Sequence, residues 1–411
     1  MITFKPFKAI RPTRDKAYLM ASRSYVSYSE EHLINKLDQN PFTFLHVINP
    51  DYNKEEKSTG QDRFLKVKEQ FEHFKELGYF IEEEKPAFYI YQQQAENHVF
   101  TGIIGATHVN DYKEGRVKKH ENTLTQREEM FTNYLHVTGF NAEPVLLMHR
   151  PMATLGAIKS KYMAERAEYE FTSTDKVLHL LWAVTEDEDI EAISKSFEQI
   201  DSVYIADGHH RCASSVRLAE MYPDENQEAN KYFLTYFLSD TTIRIHGFDR
   251  LVKDLNGMTK TEFLKKLDTN FFVREKEDAL YKPESMHEMS MYMHGKWYAL
   301  YNKPGRFNPE DAVESLDCQI LSTLLLDPIL DIKDLKTDSR IDFSPGNAGP
   351  ETLKTAVDSG KYKVAFGLFP VTVEQLKRVS DEGLSMPPKS TYIEPKLRSG
   401  LTVYNLNDWW A

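Results

Sequence analysis

Tyr204-Ile205-Ala206-Asp207-Gly208-His209-His210-Arg211 sets an acid, a glycine, two imidazoles and a guanidinium between an apolar run and a helical pattern. Residues 202–206 read as a buried strand, and 212–221 carry helix formers with apolar Val216, Leu218 and Ala219, so the charged cluster falls at a strand-to-helix junction. A helix N-terminus presents unpaired backbone N–H groups and a partial positive charge, which suits a phosphate. Gly208 lets the backbone approach such a ligand or take a positive φ, Arg211 grips oxygens with two parallel hydrogen bonds, and His209 and His210 donate more. The alternative is a strand end capped by Asp207, with both imidazoles satisfied by neighbours.

Outward from this stretch, the order is strand (179–184), acidic turn, helix (190–200), strand (203–206), loop and helix, an α/β arrangement. Residues 232–239 and 243–245 continue the sheet. Toward the N-terminus, 4–10 reads as a first strand, 29–38 as a helix ended by Asn40-Pro41, and 42–47 as a strand. An amphipathic helix over 61–77 is closed by Gly78, 87–92 with 99–107 form a hairpin, a helix follows Glu121, and 145–149 is another buried strand. Beyond Asn256 the character shifts to a helix (260–267), short strands (271–273, 289–293, 297–300), a long apolar helix (316–326), a strand (364–369) and a helix from Thr372, where Thr372 and Gln375 fit a capping box. The expected fold class is therefore mixed α/β, with one domain over 1–255 and a C-terminal α+β subdomain over 256–411.

A chain of 411 residues is longer than one core usually supports. Its 41% hydrophobic and 28% charged residues are those of a globular protein. The net charge of −12 excludes broad binding to nucleic acid or to an anionic membrane, so a phosphate site must be a local positive pocket. Two cysteines, Cys212 and Cys318, make no disulfide framework and no paired zinc spacing, and a cytoplasmic location is expected. The first ten residues lack a signal-peptide core, and no window approaches a membrane span.

Two further polar clusters stand out. Lys118-Lys119-His120-Glu121 precedes Gln126-Arg127-Glu128 on an expected helix, and Met386-Pro387-Pro388-Lys389-Ser390-Thr391 is a loop stiffened by two prolines and bearing an ammonium and two hydroxyls. Taken singly, the first is a solvated face and the second a surface turn. Taken with the phosphate loop they supply an anion clamp, an acceptor pocket and a base, the parts of a small-molecule phosphotransferase. No Gly-rich loop of the ordinary nucleotide-triphosphate enzymes is present. A metal-dependent hydrolase using His120, His209, His210 and Asp207, and a non-catalytic nucleotide switch or scaffold, are the alternatives.

Over its whole length the chain resembles the domain of unknown function 1015 family, on Asn40-Pro41-Phe42-Thr43-Phe44-Leu45-His46-Val47, 118–121, 206–211 and 386–391. Three of these stretches are also similar, in the same order, to the free serine kinases of the ParB/sulfiredoxin superfamily. That resemblance implies a ParB/sulfiredoxin-like nucleotide-binding core with an N-terminal extension, ATP or ADP with Mg²⁺ as cofactors, and L-serine as the substrate converted to O-phosphoserine. It implies Glu121 as base, with Lys119 and His120 beside the nucleotide, and Asp207, Gly208, His209, His210 and Arg211 as the phosphate loop. Asp207 and His210 are given catalytic roles, with Asp207 orienting a histidine or touching the Mg²⁺ that arrives on the phosphates. Lys389, Ser390 and Thr391 would hold the acceptor. Two departures from the broader family are Ser22-Arg23-Ser24-Tyr25-Val26 and Asp249-Arg250, where Arg23 and Arg250 are plausible contacts to anions, with a surface salt bridge the expected role of each.

Overall fold

The computed structural model describes residues 1–223 and 228–407. These form two compact units. The first joins Met1–Lys118, Asn122–Ile243 and the chain from Pro395 onward; the second joins Lys119–Glu121 with Arg244–Glu394. No helix among the described residues is long and apolar enough to cross a membrane.

The first unit is built on a mixed sheet in which neighbouring strands run Val117–Lys118, Val203–Asp207, Val145–His149, Tyr232–Ser239, His98–His108, Phe88–Ala95, Leu178–Val184 and Tyr169–Thr172, with Phe4–Lys5 on the edge of His98–His108. Val145–His149 and Tyr232–Ser239 pair in parallel and are buried along their whole length, the continuous apolar pattern of strands covered on both faces. Phe88–Ala95 and His98–His108 make the expected hairpin. Gly102 and Gly105 are required in it, since a Cβ would lie 2.2 Å from the Phe237 carbonyl oxygen and 2.5 Å from the Phe4 ring respectively. Ile103, Val145, Leu147, Phe197, Val203, Ile205, Phe233 and Phe237 form the core of this sheet.

A smaller core lies under the helix Gly60–Glu76, whose Phe64, Val67, Phe71 and Phe74 recur every three or four residues and so share one face. Phe71 stacks on Phe140 with centroids 4.3 Å apart, and Phe44 and Phe80 complete the cluster. The expected strand over 42–47 is a turn leading into the short helix Leu45–Ile48. Asn40 and Thr43 account for the difference: the Asn40 side chain accepts from the Phe42 N–H at 3.0 Å and the Thr43 hydroxyl from Leu45 at 3.4 Å, which starts a turn, while the apolar residues are buried either way.

In the second unit six antiparallel strands are ordered Phe271–Lys276, Lys296–Asn302, Glu288–Met293, Val364–Leu368, Phe248–Val252 and Ile341–Pro345. Arg244–His246 does not continue the large sheet, as its apolar character suggested, but pairs with Tyr392–Glu394. The expected helix over 316–326 is an α-helix at Asp317–Leu321 that widens into a π-turn at Ser322–Leu326, just before Pro328. The Thr372–Gln375 capping box is formed, with Gln375 N donating to Thr372 at 3.2 Å and Thr372 N donating back at 3.0 Å.

Candidate functional site

The anion loop forms where the strand Val203–Asp207 ends and the helix His209–Met221 begins. The register against Val145–His149 shifts between Ile205 and Asp207, an irregularity of the kind that re-aims side chains at a strand end. Gly208 is the helix N-cap at φ 98° and ψ 30°, a left-handed backbone that glycine adopts readily, and it brings no side chain of its own to cap the first turn.

Arg211 folds back across this turn. A Cβ on Gly208 would lie 2.9 Å from Arg211 Nη2 and 3.0 Å from Nε. The guanidinium meets Asp207 Oδ2 at 3.3 Å and pairs with Glu143, whose other oxygen accepts from Ser399 Oγ at 3.2 Å. Lys396 Nζ lies 3.3 Å from Asp207 Oδ1. Burial pulls the Arg211 pKa down, but Glu143 and Asp207 outweigh it and hold the group above its ordinary value. The buried Arg211 Nε has no hydrogen-bond partner. His209 is buried, His210 partly so, and Cys212 packs in the core. Glu143 and Lys396 were missed in the sequence because each is a lone charge far from the loop in number and carries no local pattern.

Lys119, His120 and Glu121 belong to the second unit, together with the 386–391 loop. The two segments are joined by the Met386 N–H, which donates to the His120 carbonyl at 2.8 Å. His120 is buried, while Lys119 and Glu121 are exposed. In the loop, Lys389 takes a left-handed φ of 58° and its ammonium lies 5.0 Å from the Phe248 ring centroid. Ser390 is buried, donates to the Pro387 carbonyl at 2.6 Å and touches Cys318 Sγ at 3.1 Å, so its hydroxyl is built into the unit. Thr391 is partly exposed. Glu128 accepts from Thr123 and faces Arg217, which makes it a structural residue of the helix Thr125–Thr138.

Arg23 is the surface ion pair expected, 3.5 Å from Asp175. Arg250 is not: it is wholly buried on Phe248–Val252, and its Nε and Nη2 have no hydrogen-bond partner among the described residues. The sequence Asp249-Arg250 suggested a surface pair, but neighbours on a strand point to opposite faces, and Asp249 accepts the Leu368 N–H at 3.2 Å instead.

No three His, Cys, Asp or Glu side chains among the described residues are grouped to hold a metal ion. Asp207 is the carboxylate beside the phosphate loop best placed to touch one, and it is already engaged by Lys396 and Arg211. The Gly208 turn, with no β-carbon in the way and the Arg211 guanidinium across it, has the donor chemistry to receive a phosphate group.

Residues 4–319 match the model of a family described as "Protein of unknown function (DUF1015)". No curated protein matches the chain. Among solved structures, a free serine kinase in complex with AMP is 15% identical, at a TM-score of 0.39, over 72% of this chain and 90% of that one. A conserved hypothetical protein from Pyrococcus furiosus is also 15% identical, at 0.36, over 72% and 93%. SbnI with a C-terminal truncation, from Staphylococcus aureus, is 11% identical, at 0.38, over 73% and 87%. At these values the likeness assigns no residue a role.

Proposed function

We propose a function for the chain, which belongs to this family of proteins of unknown function: it is a phosphotransferase that moves the terminal phosphoryl group of a nucleotide, ATP or ADP, to the hydroxyl of a small hydroxy amino acid, L-serine in the first place. The observation that carries the reading is the helix N-terminus that opens on the left-handed Gly208, with Arg211 folded across it and Asp207 at its edge. The ParB/sulfiredoxin-like character of this core is part of the same reading.

In the step proposed, the serine hydroxyl oxygen forms a bond to phosphorus as the bond to the bridging oxygen breaks. The nucleotide leaves with that electron pair, and the hydroxyl proton passes to the Glu121 carboxylate. The first-turn N–H groups, Arg211, His209 and His210 stabilise charge on the phosphoryl oxygens. Asp207 holds Arg211 by one oxygen and Lys396 by the other, which fixes the cations about the turn. Lys389, Ser390 and Thr391 hold the acceptor, and Lys119 and His120 border the nucleotide. Mg²⁺ bound to the phosphates supplies charge neutralisation.

The test is incubation with L-serine and Mg²⁺, with ATP and ADP in separate reactions, read by phosphorus NMR for O-phosphoserine. Product that disappears in Glu121→Gln, with nucleotide affinity kept within about twofold, is the expected result, since the base acts on the acceptor and not on the nucleotide. Full activity in Glu121→Gln removes Glu121 from the mechanism. Nucleotide binding without product from either donor sinks the kinase reading in favour of the non-catalytic switch. Stoichiometric zinc in protein purified without a histidine tag would favour the hydrolase.

A further inference from the structure

Arg250 sits mid-strand in the six-stranded sheet of the second unit, in register with Phe343 on one side and Phe366 on the other. Its exposure is 0%. One nitrogen, Nη1, donates to the Phe248 carbonyl, and the guanidinium carbon lies 5.1 Å from the centroid of the Phe343 ring. Nε and Nη2 have no hydrogen-bond partner among the described residues. These two atoms form one edge of the guanidinium, the edge whose two parallel N–H groups match the two oxygens of a carboxylate or a phosphate. A buried cation is kept in folded proteins by a paired anion or by satisfied donors, and the two donors of this edge are not satisfied by the described residues.

The surroundings narrow the ligand. Cys318 lies within electrostatic reach of Arg250, and its sulfur touches the Ser390 hydroxyl. Burial pushes the Cys318 thiol up, toward its neutral form, and Lys389 of the same loop is turned outward in a left-handed conformation. Asp249 is also within electrostatic reach of Arg250, so at most one positive charge is left uncompensated, which a monoanion balances and a phosphate dianion would exceed.

We propose that the second unit holds a carboxylate-binding site in which the Nε and Nη2 edge of Arg250 grips the ligand under the 386–391 loop, the ligand being the carboxylate of a small molecule. The identification of that molecule as the amino-acid acceptor rests on the kinase reading above; the site itself does not. Arg250 thereby takes the carboxylate-holding role, and Lys389, Ser390 and Thr391 become the cover.

The experiment uses the full chain and follows binding of L-serine, acetate and inorganic phosphate by calorimetry and by the shift in melting temperature, for the wild type, Arg250→Met and Arg250→Lys. The expected result is stabilisation of the wild type by L-serine and acetate, a loss of at least tenfold in their affinity in Arg250→Met, a smaller loss in Arg250→Lys, and nucleotide affinity unchanged within twofold. In the wild type, the Arg250 Nε–H resonance in a ¹H–¹⁵N spectrum should shift on adding L-serine, a readout that holds even if the methionine variant does not fold. An unmoved resonance, an L-serine affinity in Arg250→Met within twofold of the wild type, or a loss of phosphate affinity in Arg250→Met larger than that of either carboxylate overturns the proposal. Carboxylate binding through Arg250 without O-phosphoserine from either nucleotide would sink the kinase and leave this site standing. O-phosphoserine formation with an unaltered KM for L-serine in Arg250→Met would do the reverse.

Discussion

Gly208→Ala tests the anion loop at one atom. The residue has φ 98°, where an L side chain costs about 1–2 kcal/mol through contact with the following carbonyl. The added methyl also lies 2.9 Å from Arg211 Nη2, so the guanidinium must move, loosening its contacts with Glu143 and Asp207. Those contacts are only partly buried, with side chains 20% exposed for Arg211 and 23% for Glu143, and contribute about 1 kcal/mol at most. The expected stability loss is therefore about 1–3 kcal/mol, read as a shift in the urea midpoint at unchanged slope. The methyl also stands where a phosphate approaches the first-turn N–H groups. Loss of one charge-assisted hydrogen bond, about 1.5–3 kcal/mol, weakens nucleotide binding roughly 10- to 100-fold. Gly156→Ala is the control: exposed in the helix Ala153–Met163 with nothing within 4 Å of the new methyl, it should stabilise by about 0.5–1 kcal/mol and leave nucleotide affinity alone. A Gly208→Ala protein as stable as the wild type, with nucleotide affinity within twofold, would refute both the strain and the phosphate argument.

Two more predictions come from charges that the fold buries or pairs. Glu143→Gln keeps the shape that accepts from Ser399 but releases Arg211 from its carboxylate, so nucleotide affinity by calorimetry should rise several-fold, about 1 kcal/mol, while the unliganded protein melts lower; weaker binding would mean that Glu143 positions Arg211 productively. Burial raises the Asp317 carboxyl from 3.8 to about 7, against the lowering by the His287 N–H that it accepts at 2.9 Å. The folded state keeps a proton that the unfolded state has lost, so this contribution to stability is full below about pH 4 and falls as pH rises to about 7. Three units amount to about 4 kcal/mol as an upper figure. Asp317→Asn should thus gain on the wild type by up to that amount between pH 4 and 8 in denaturant titrations, and a flat difference would refute it. Taking the difference between the two proteins cancels the opposite slope of His149 and His179, which burial holds down at about 4 and about 3.

Where the sequence reading succeeded, the local pattern and the tertiary demand agreed. The strand over 145–149, the helix over 260–267 and the Thr372–Gln375 capping box stand as expected because apolar spacing and cap chemistry act over a few residues. The 207–211 junction was legible for the same reason. The failures have tertiary causes. The 42–47 run has strand-like composition but is turned by Asn40 and Thr43. Arg244–His246 has strand character and forms a strand, yet local sequence does not say which sheet receives it. Arg250 was read as a surface residue because arginine is rarely buried; only strand register places it between Phe343 and Phe366.

The same limit shapes the chemistry of the phosphate loop. Read alone, Asp207-Gly208-His209-His210-Arg211 is an acid followed by cations, and its positive end seems free for phosphate. In the fold, Arg211 and Lys396 face Asp207 and Glu143, two formal positive charges against two negative, so these four groups sum to zero. An entering phosphate thus gains little from long-range attraction, which the overall charge of −12 opposes in any case. It must compete with Glu143 for Arg211, and what it gains uncontested is the buried Arg211 Nε, which has no hydrogen-bond partner among the described residues. Such a loop discriminates by geometry more than by charge: a phosphate that fits the Gly208 turn satisfies directional donors, while a polyanion that cannot enter finds no net positive surface. Binding should accordingly depend only weakly on ionic strength, in contrast to the steep salt dependence of proteins that attract nucleic acid by charge.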